Sequence, residues 1–377
     1  MKKIIILPLV IASLTLLHAN EDKNPAQILE EMYQKMQQIA LLEKNSTESN
    51  STVTKEIKTD NNETNTIQTI VTENNQTEEK NTTLTKIEEP FNYNLKPKQI
   101  SDNVWCFLGL LEGPSAKNAG AMSNSCWIQT DDSYVLLDSG PSYEYARQSY
   151  EAMKKIKDLP VSTVFISHDH DDHWLGNNFY KEEFNATLIG PELVNTNYKD
   201  GDKTRMFEKL PANAIKGTKI VKLDETPKET IKRTIGGEDF EFVAIPTKAH
   251  TPTDFFLYMP KRKILFTGDV AMNGRVTSNR DGSLMGQLKA IEMIRAKEWN
   301  NLVAGHGFIT DKTALDEADR YFNLMYEAVK KALDNDEELT DLVPNEIMKE
   351  FKDKAMFNAL NGQNFNEAYT ELDFLED

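Results

Sequence analysis

The stretch Ser167-His168-Asp169-His170-Asp171-Asp172-His173-Trp174-Leu175-Gly176-Asn177 decides how this 377-residue chain is interpreted. It follows Val161–Ser167, whose β-branched apolar residues predict a buried strand. Three imidazoles on one tight turn repel each other when protonated and lose solvation, which costs stability unless something binds them. Because neutral imidazole is a common ligand of divalent metals, the stretch predicts a metal site.

The spacing within the stretch indicates two ions. Residues two apart point the same way, so His168 and His170 suit one ion, while Asp172 and His173 turn toward a second. Each further candidate ligand follows a predicted strand, at the strand ends where loops form sites. These ligands are His250 after Phe240–Ile245, Asp269 after Lys263–Phe266, and His306 after Asn301–Ala304. The chain has six histidines, and all five besides His18 near the N-terminus are then assigned to one centre.

The ordered pattern HxHxDH, a distant His, Asp in Thr267-Gly268-Asp269 and Gly305-His306-Gly307 resembles the metallo-β-lactamase superfamily. The resemblance runs from about Val104 to Ile309 and implies an α/β fold, the αββα sandwich of two mixed β-sheets flanked by helices. It implies one metal site of His168, His170 and His250, a second of Asp172, His173 and His306, and Asp269 as the bridging ligand. Asp138 matches an Asp that ends an early strand in this family and supports the ligand loop.

The bridging carboxylate favours one branch of this family. Asp269 is typical of the glyoxalase II, lactonase and phosphodiesterase branches, and the dinuclear β-lactamases usually lack it. The run His173–Asn177 and the tail Asn366–Leu372 also resemble periplasmic metallohydrolases associated with sulfur oxidation and quinoprotein systems. One departure is Thr253-Asp254 after His250-Thr251-Pro252, where the family usually has Gly-Ser. We interpret Asp254 as a hydrogen-bonding residue within the turn.

The resemblance implies a hydrolase with two divalent cations, Zn²⁺ first, with iron and manganese also compatible with these ligands. In the predicted mechanism, a hydroxide held between the ions would attack an ester, thioester or lactone carbonyl of a small molecule, with Asp172 and Asp269 as the catalytic proton acceptors. Two alternatives stay open. One is β-lactam hydrolysis, and the other is a non-catalytic, metal-binding accessory role in a redox or sulfur pathway.

The N-terminal region predicts export and a tether. Residues 1–19 have a basic start, an apolar stretch and a small residue at the end, which is typical of a cleaved signal peptide and predicts a periplasmic protein that does not span the membrane. The spacing of apolar residues predicts an amphipathic helix over residues 20–43. Its segment 25–43 is expected either to pack on its own domain or to associate with a partner or a second copy. Residues 44–90 are rich in Asn, Thr and Glu and predict a disordered linker. Acidic-x-Asn-x-Ser/Thr patterns there resemble bacterial N-glycosylation sites, at Asn45, Asn50, Asn62, Asn75 and Asn81.

Residues 95–377 predict one hydrolase domain, with a helical extension from about residue 312. The net charge of −17 argues against nucleic-acid binding, which requires a basic face. The two cysteines, Cys106 and Cys126, stand on predicted strands that suit neighbouring positions. In an oxidising compartment they form either a disulfide or two buried thiols.

Overall fold

The computed structural model describes residues 89–197 and 204–376. The predicted signal peptide, amphipathic helix and linker, with the five candidate glycosylation asparagines, lie outside the described residues. Along the described chain, strands dominate at first and then alternate with helices. This order is the one that produces sheets covered by helical layers.

The first sheet has six strands in the order β1-β2-β3-β4-β5-β6. Neighbours are antiparallel from β1 to β4 and parallel from β4 to β6, so the sheet is mixed. Its strands are β1 Lys98–Ser101, β2 Val104–Phe107, β3 Ser125–Gln129, β4 Tyr134–Leu137, β5 Val161–Phe165 and β6 Thr187–Ile189.

The second sheet has five strands in the order β11-β10-β9-β8-β7. It is also mixed, because β10 and β11 are parallel whereas the other neighbours are antiparallel. Its strands are β7 Ile231–Ile235, β8 Glu238–Ala244, β9 Phe255–Met259, β10 Ile264–Phe266 and β11 Asn301–Val303.

Helices follow the strands and form the outer layers. Those before β7 are α1 Tyr143–Lys154, α2 Asp171–Trp174, α3 Asn177–Phe184, α4 Leu193–Asn197, α5 Arg205–Lys209 and α6 Ala212–Ile215. Those after β10 are α7 Leu284–Arg295, α8 Asp316–Asp334, α9 Pro344–Ile347 and α10 Phe357–Glu376. Short 3₁₀ turns occur at Gly268–Val270, Leu339–Asp341 and Lys349–Phe351.

The four layers follow from the alternation of side chains along the strands. In β2, Val104 and Cys106 face a core between the two sheets, whereas Trp105 and Phe107 face a second core beneath α1 and α3. The outer face of the second sheet packs on a third core that includes α7, α8 and α10. Both faces of each sheet are therefore covered, which is the αββα arrangement.

Cys106 and Cys126 lie opposite each other on β2 and β3 and are joined by a disulfide. Both residues are buried in the core between the sheets. The structure thus selects one of the two states that the sequence left open. Among the described residues, no helix is long and apolar enough to cross a membrane.

Candidate metal centre

Seven side chains from both sheets converge on one buried site. They form a first group, His168, His170, His250 and Asp269, and a second group, Asp172, His173 and His306. Within each group, one nitrogen or oxygen atom per residue lies within 4.8 Å of the others. The two groups coincide with the residues that the sequence assigned to two ions. They meet because β5, β8, β10 and β11 all direct their following loops to the same edge.

Asp269 lies between the two groups. Its Oδ2 is 3.3 Å from Nε2 of His250 in the first group and 3.3 Å from Nε2 of His306 in the second. Its Oδ1 is 3.3 Å from Nε2 of His173, also in the second group. The carboxylate therefore faces imidazoles of both groups. This is the position that a ligand shared by two ions requires.

Each imidazole has one ring nitrogen held by the protein and the other directed inward. The held nitrogen fixes the ring orientation and the tautomer. The partners of the held nitrogens are Ser167 Oγ for His168, Asp281 Oδ2 for His170, Asp138 Oδ2 for His173, the Ser278 carbonyl for His250 and the Met122 carbonyl for His306.

Asp138 organises the start of the histidine-rich loop. Its Oδ1 accepts from the backbone N–H of Ser167 at 2.8 Å, and its Oδ2 lies 2.9 Å from Ser167 Oγ and 2.7 Å from His173 Nδ1. Its backbone is in the left-handed region at φ 60°, which costs energy for a residue with a Cβ. The cost is offset where the surrounding contacts fix the residue, as three hydrogen bonds do here.

Arg205, from the segment after β6, contacts the other side of the loop. Its guanidinium donates to Asp171 Oδ1 and, at 2.7 Å, to Asp172 Oδ1. The contact leaves Asp172 Oδ2 directed at the second group, 3.4 Å from His306 Nε2. Arg205 thus links the segment after β6 to the loop that carries the second group.

Close packing at the centre requires a glycine at position 305. A Cβ on Gly305 would lie 2.0 Å from Asp269 Oδ1 and 2.6 Å from the Gly268 carbonyl carbon. The first glycine of the Gly305-His306-Gly307 motif therefore permits β10 and β11 to bring their loops together. The glycine has a steric role beside the shared carboxylate.

The charges in the site are strongly coupled. Burial, with the neighbouring His173, holds the pKa of His168 well below its usual range. Burial also opposes charging of His173, but Asp269, Asp138 and Asp172 outweigh it and raise the His173 pKa. Burial favours the neutral forms of Asp172 and Asp269, yet the surrounding imidazoles, and Arg205 beside Asp172, hold both carboxyl pKa values low. Both carboxylates are thus ionised at neutral pH.

Several inward-facing atoms have no hydrogen-bond partner among the described residues. They are His168 Nε2, His173 Nε2, Asp172 Oδ2 and Asp269 Oδ1. Burying polar atoms without partners destabilises the folded state. These atoms are imidazole nitrogens and carboxylate oxygens, which coordinate Zn²⁺, iron or manganese. The residues therefore fit two divalent cations.

Asp254 lies in the turn after His250 and is buried. Its Oδ2 accepts from Thr251 N–H at 2.8 Å, and its Oδ1 accepts from Thr251 Oγ1 at 2.9 Å. Burial raises its pKa to about 6. The hydrogen bonds agree with the interpretation of Asp254 as a turn residue.

Sequence reasoning missed two groups of contacts at the site. Asp281 holds His170 from 111 residues away, and Arg275 places Nη1 3.5 Å from Nδ1 of His306. Neither residue belongs to a motif, and their proximity depends on how the loops after β10 fold. No local pattern in the sequence could have identified them.

The sequence model of the metallo-β-lactamase superfamily matches residues 119–306. This range contains all seven residues of the two groups and Asp138. The order of strands and helices, the two mixed sheets and the clustered histidines agree with that match. The chain belongs to the metallo-β-lactamase superfamily, and the predicted αββα fold with C-terminal helices is confirmed.

Three similar proteins carry more specific names. A linear primary-alkylsulfatase of Pseudomonas sp. is 24% identical over 217 residues, which cover 48% of this chain and 40% of the alkylsulfatase. A hydroxyacylglutathione hydrolase of Brucella ovis is 31% identical over 124 residues, or 32% of this chain and 37% of the hydrolase. The chain thus spans well under half the length of these relatives.

The third is a solved structure, a stereoselective inverting sec-alkylsulfatase from Pseudomonas sp. Its TM-score is 0.52 at 15% identity, and the match covers 73% of this chain and 50% of that one. At this identity the likeness shows the fold alone. Both curated relatives are named as hydrolases, and this chain has a His/Asp cluster suited to metal binding.

Proposed function

We propose that the protein is a dinuclear zinc hydrolase of thioesters, esters or lactones that works in the periplasm. The observation that carries the proposal is Asp269, whose two carboxylate oxygens face imidazoles of both groups at 3.3 Å. The 31% identity to a hydroxyacylglutathione hydrolase supports the thioester among these substrates. The disulfide and the signal-like N-terminus support an oxidising compartment.

His168, His170 and His250 would hold one cation, Asp172, His173 and His306 the other, and Asp269 both. When bound, such a pair supplies water acidified to near-neutral pKa and polarises the bond that is attacked. The protein's own contribution is to fix the ligands before substrate arrives, through the five held ring nitrogens and the Arg205–Asp172 contact. The low pKa values of Asp172 and Asp269 make both carboxylates weak bases. Their role as proton acceptors therefore stays a prediction.

Sulfate-ester hydrolysis is a second candidate. It is favoured by the alkylsulfatase relative, whose match is longer than that of the thioesterase relative, at 217 residues against 124. β-Lactam hydrolysis is disfavoured, because the shared carboxylate position is occupied by Asp269. A purely accessory protein is disfavoured as well, since a simple metal binder has no need of a complete second group.

A substrate panel separates these candidates. Zinc-loaded protein would be assayed with a hydroxyacyl thioester, a carboxylic ester, a lactone, a primary alkyl sulfate and a chromogenic cephalosporin. We expect turnover of a carbonyl substrate, lost on chelation and lost in His170→Ala. The matched control is Asp158→Asn, an exposed position in the loop that follows α1, and this variant should retain full activity. Turnover of only the alkyl sulfate or only the cephalosporin would identify the protein as a hydrolase of that substrate instead. No turnover of any substrate by the metal-loaded protein would refute the proposal.

A further inference from the structure

The C-terminal helix α10 reaches the metal centre through one loop. This loop, Thr277–Ser283, is called here the clamp loop. It supplies the Ser278 carbonyl that lies 3.0 Å from His250 Nδ1 and the Asp281 carboxylate that lies 3.3 Å from His170 Nε2. Two of the three histidines in the first group thus take their orientation from seven consecutive residues.

Asn364 on α10 fixes the backbone of the clamp loop. Its Oδ1 accepts from the N–H of Asn279 at 2.8 Å, and its Nδ2 donates to the Thr277 carbonyl at 2.7 Å. These two bonds lie on either side of Ser278, whose carbonyl faces His250. The amide of Asn364 therefore determines where the Ser278 carbonyl points.

A second contact from α10 reaches the same region. Glu371 accepts from Ser283 Oγ and from Leu284 N–H, both at 2.6 Å, and so closes the end of the clamp loop at the start of α7. The N–H of Ser283 in turn donates to the Ala249 carbonyl at 2.8 Å, next to His250. Helix α10 thus holds the clamp loop at both ends.

Burial makes the Asn364 contacts specific. Asn364 and Asn361, one turn apart on α10, are both 0% exposed, and both bond to the hydroxyl of Tyr321. A buried amide is costly unless it is fully hydrogen-bonded, so a satisfied network favours a single arrangement. Of these two asparagines, Asn364 bonds to the clamp loop, whereas Asn361 bonds to Tyr321 and Asn345.

We propose that Asn364 is a positioning residue for the first group, acting on His250 and His170 through the clamp loop. The inference rests on the proposed metal centre. Loss of a residue that orients a metal ligand typically weakens metal binding 10–100-fold. The second group is held by Asp138, Met122 and Arg205, which have no hydrogen bond to α10 in the described part of the chain, so this group should keep its affinity.

The test compares Asn364→Ala with Asn361→Ala in the full chain. Zn²⁺ affinities would be measured by competition with a chromophoric chelator, and His170→Ala would show which of the two affinities belongs to the first group. We expect Asn364→Ala to weaken that affinity about 10–100-fold and to leave the other unchanged. Asn361→Ala removes a buried amide from the same helix and should change neither affinity. Asn364→Leu, which keeps the number and branching of the side-chain heavy atoms but removes the amide, repeats the test if the alanine variant does not fold.

Equal affinities in wild type and both Asn364 variants would overturn the inference alone. Equal weakening by Asn361→Ala would overturn it too, because a general loss of packing would then explain the effect. If wild-type protein bound no Zn²⁺, both this inference and the proposed function would fail. Cobalt(II) substitution gives an independent readout, since the Asn364 variants, unlike Asn361→Ala, should alter the visible spectrum of the first group.

Discussion

Nδ1 of His173 lies 2.7 Å from Oδ2 of Asp138, and neither residue is accessible to solvent. The same carboxylate binds the N–H and the hydroxyl of Ser167, which precedes the first ligand. One side chain at the end of β4 therefore fixes both the entry to the ligand loop and a ligand of the second group. Asp138 is placed to prepare the centre although it is not itself among the seven clustered residues.

Replacing Asp138 with alanine should weaken metal binding in the second group by about 10–100-fold, because His173 loses the partner that fixes its ring. Zinc affinity measured by chelator competition checks this outcome. The matched control is Asp132→Ala, on an exposed turn of the same sheet, which should bind as wild type does. Unchanged affinity in Asp138→Ala would show that the short contact has no part in metal binding.

Gly305→Ala should abolish most of the hydrolytic activity and reduce the amount of bound metal, because the added Cβ would lie 2.0 Å from Asp269 Oδ1. Gly362→Ala is the matched control, because its Cβ would meet no atom within 4 Å on helix α10. That control should keep full activity and gain roughly 0.5–1 kcal/mol of stability from the better helix former. Metal content and thermal unfolding of both variants measure these effects. Wild-type behaviour of Gly305→Ala would contradict the packing described at the shared carboxylate.

The pH dependence of stability should contain a contribution from Asp254. Its folded-state pKa of about 6 lies above the ordinary value of 3.8, so the folded chain holds this proton more tightly. That contribution is fully present below about pH 4 and is lost as the pH rises through about 6, amounting to roughly 3 kcal/mol. Asp254→Asn lacks the proton equilibrium. We therefore expect wild type to lose stability relative to this variant between pH 4 and pH 7, as measured by urea unfolding. Parallel pH profiles would contradict a raised pKa.

Removing the metal should lower thermal stability. An ion that binds only the folded chain at 1,000 times its Kd adds about 4 kcal/mol, which corresponds to a melting temperature roughly 10 °C higher in a domain of this size. A chelator should produce this decrease, and added Zn²⁺ should reverse it. The same titration on His170→Ala should show a smaller shift. A melting temperature that does not respond to chelator would argue against metal at this site.

The sequence predicted those parts of the site that depend on local pattern. His168, His170, Asp172 and His173 share one short loop, and a turn of three histidines after a buried strand has few explanations other than metal. The remaining ligands follow strands of recognisable composition. Convergence at one edge then follows from the layered fold, which the family motif implied.

The parts that could not be predicted depend on contacts between distant segments. Asp281 meets His170 across 111 residues and Asn364 meets Asn279 across 85, and no spacing rule relates such pairs. Strand β9, Phe255–Met259, was missed for a different reason. All five of its residues are buried because both faces of the sheet are covered, so it lacks the alternation that marks a half-exposed strand.

The most direct test of a centre with two ions sharing Asp269 is the zinc content of the purified, zinc-equilibrated chain and of Asp269→Ala, measured by mass spectrometry with thioester hydrolysis on the same samples. We expect about two zinc ions per wild-type chain, and in Asp269→Ala a clear loss of zinc together with at least about 100-fold lower hydrolysis. Zinc content and hydrolysis that are both unchanged in Asp269→Ala would contradict it.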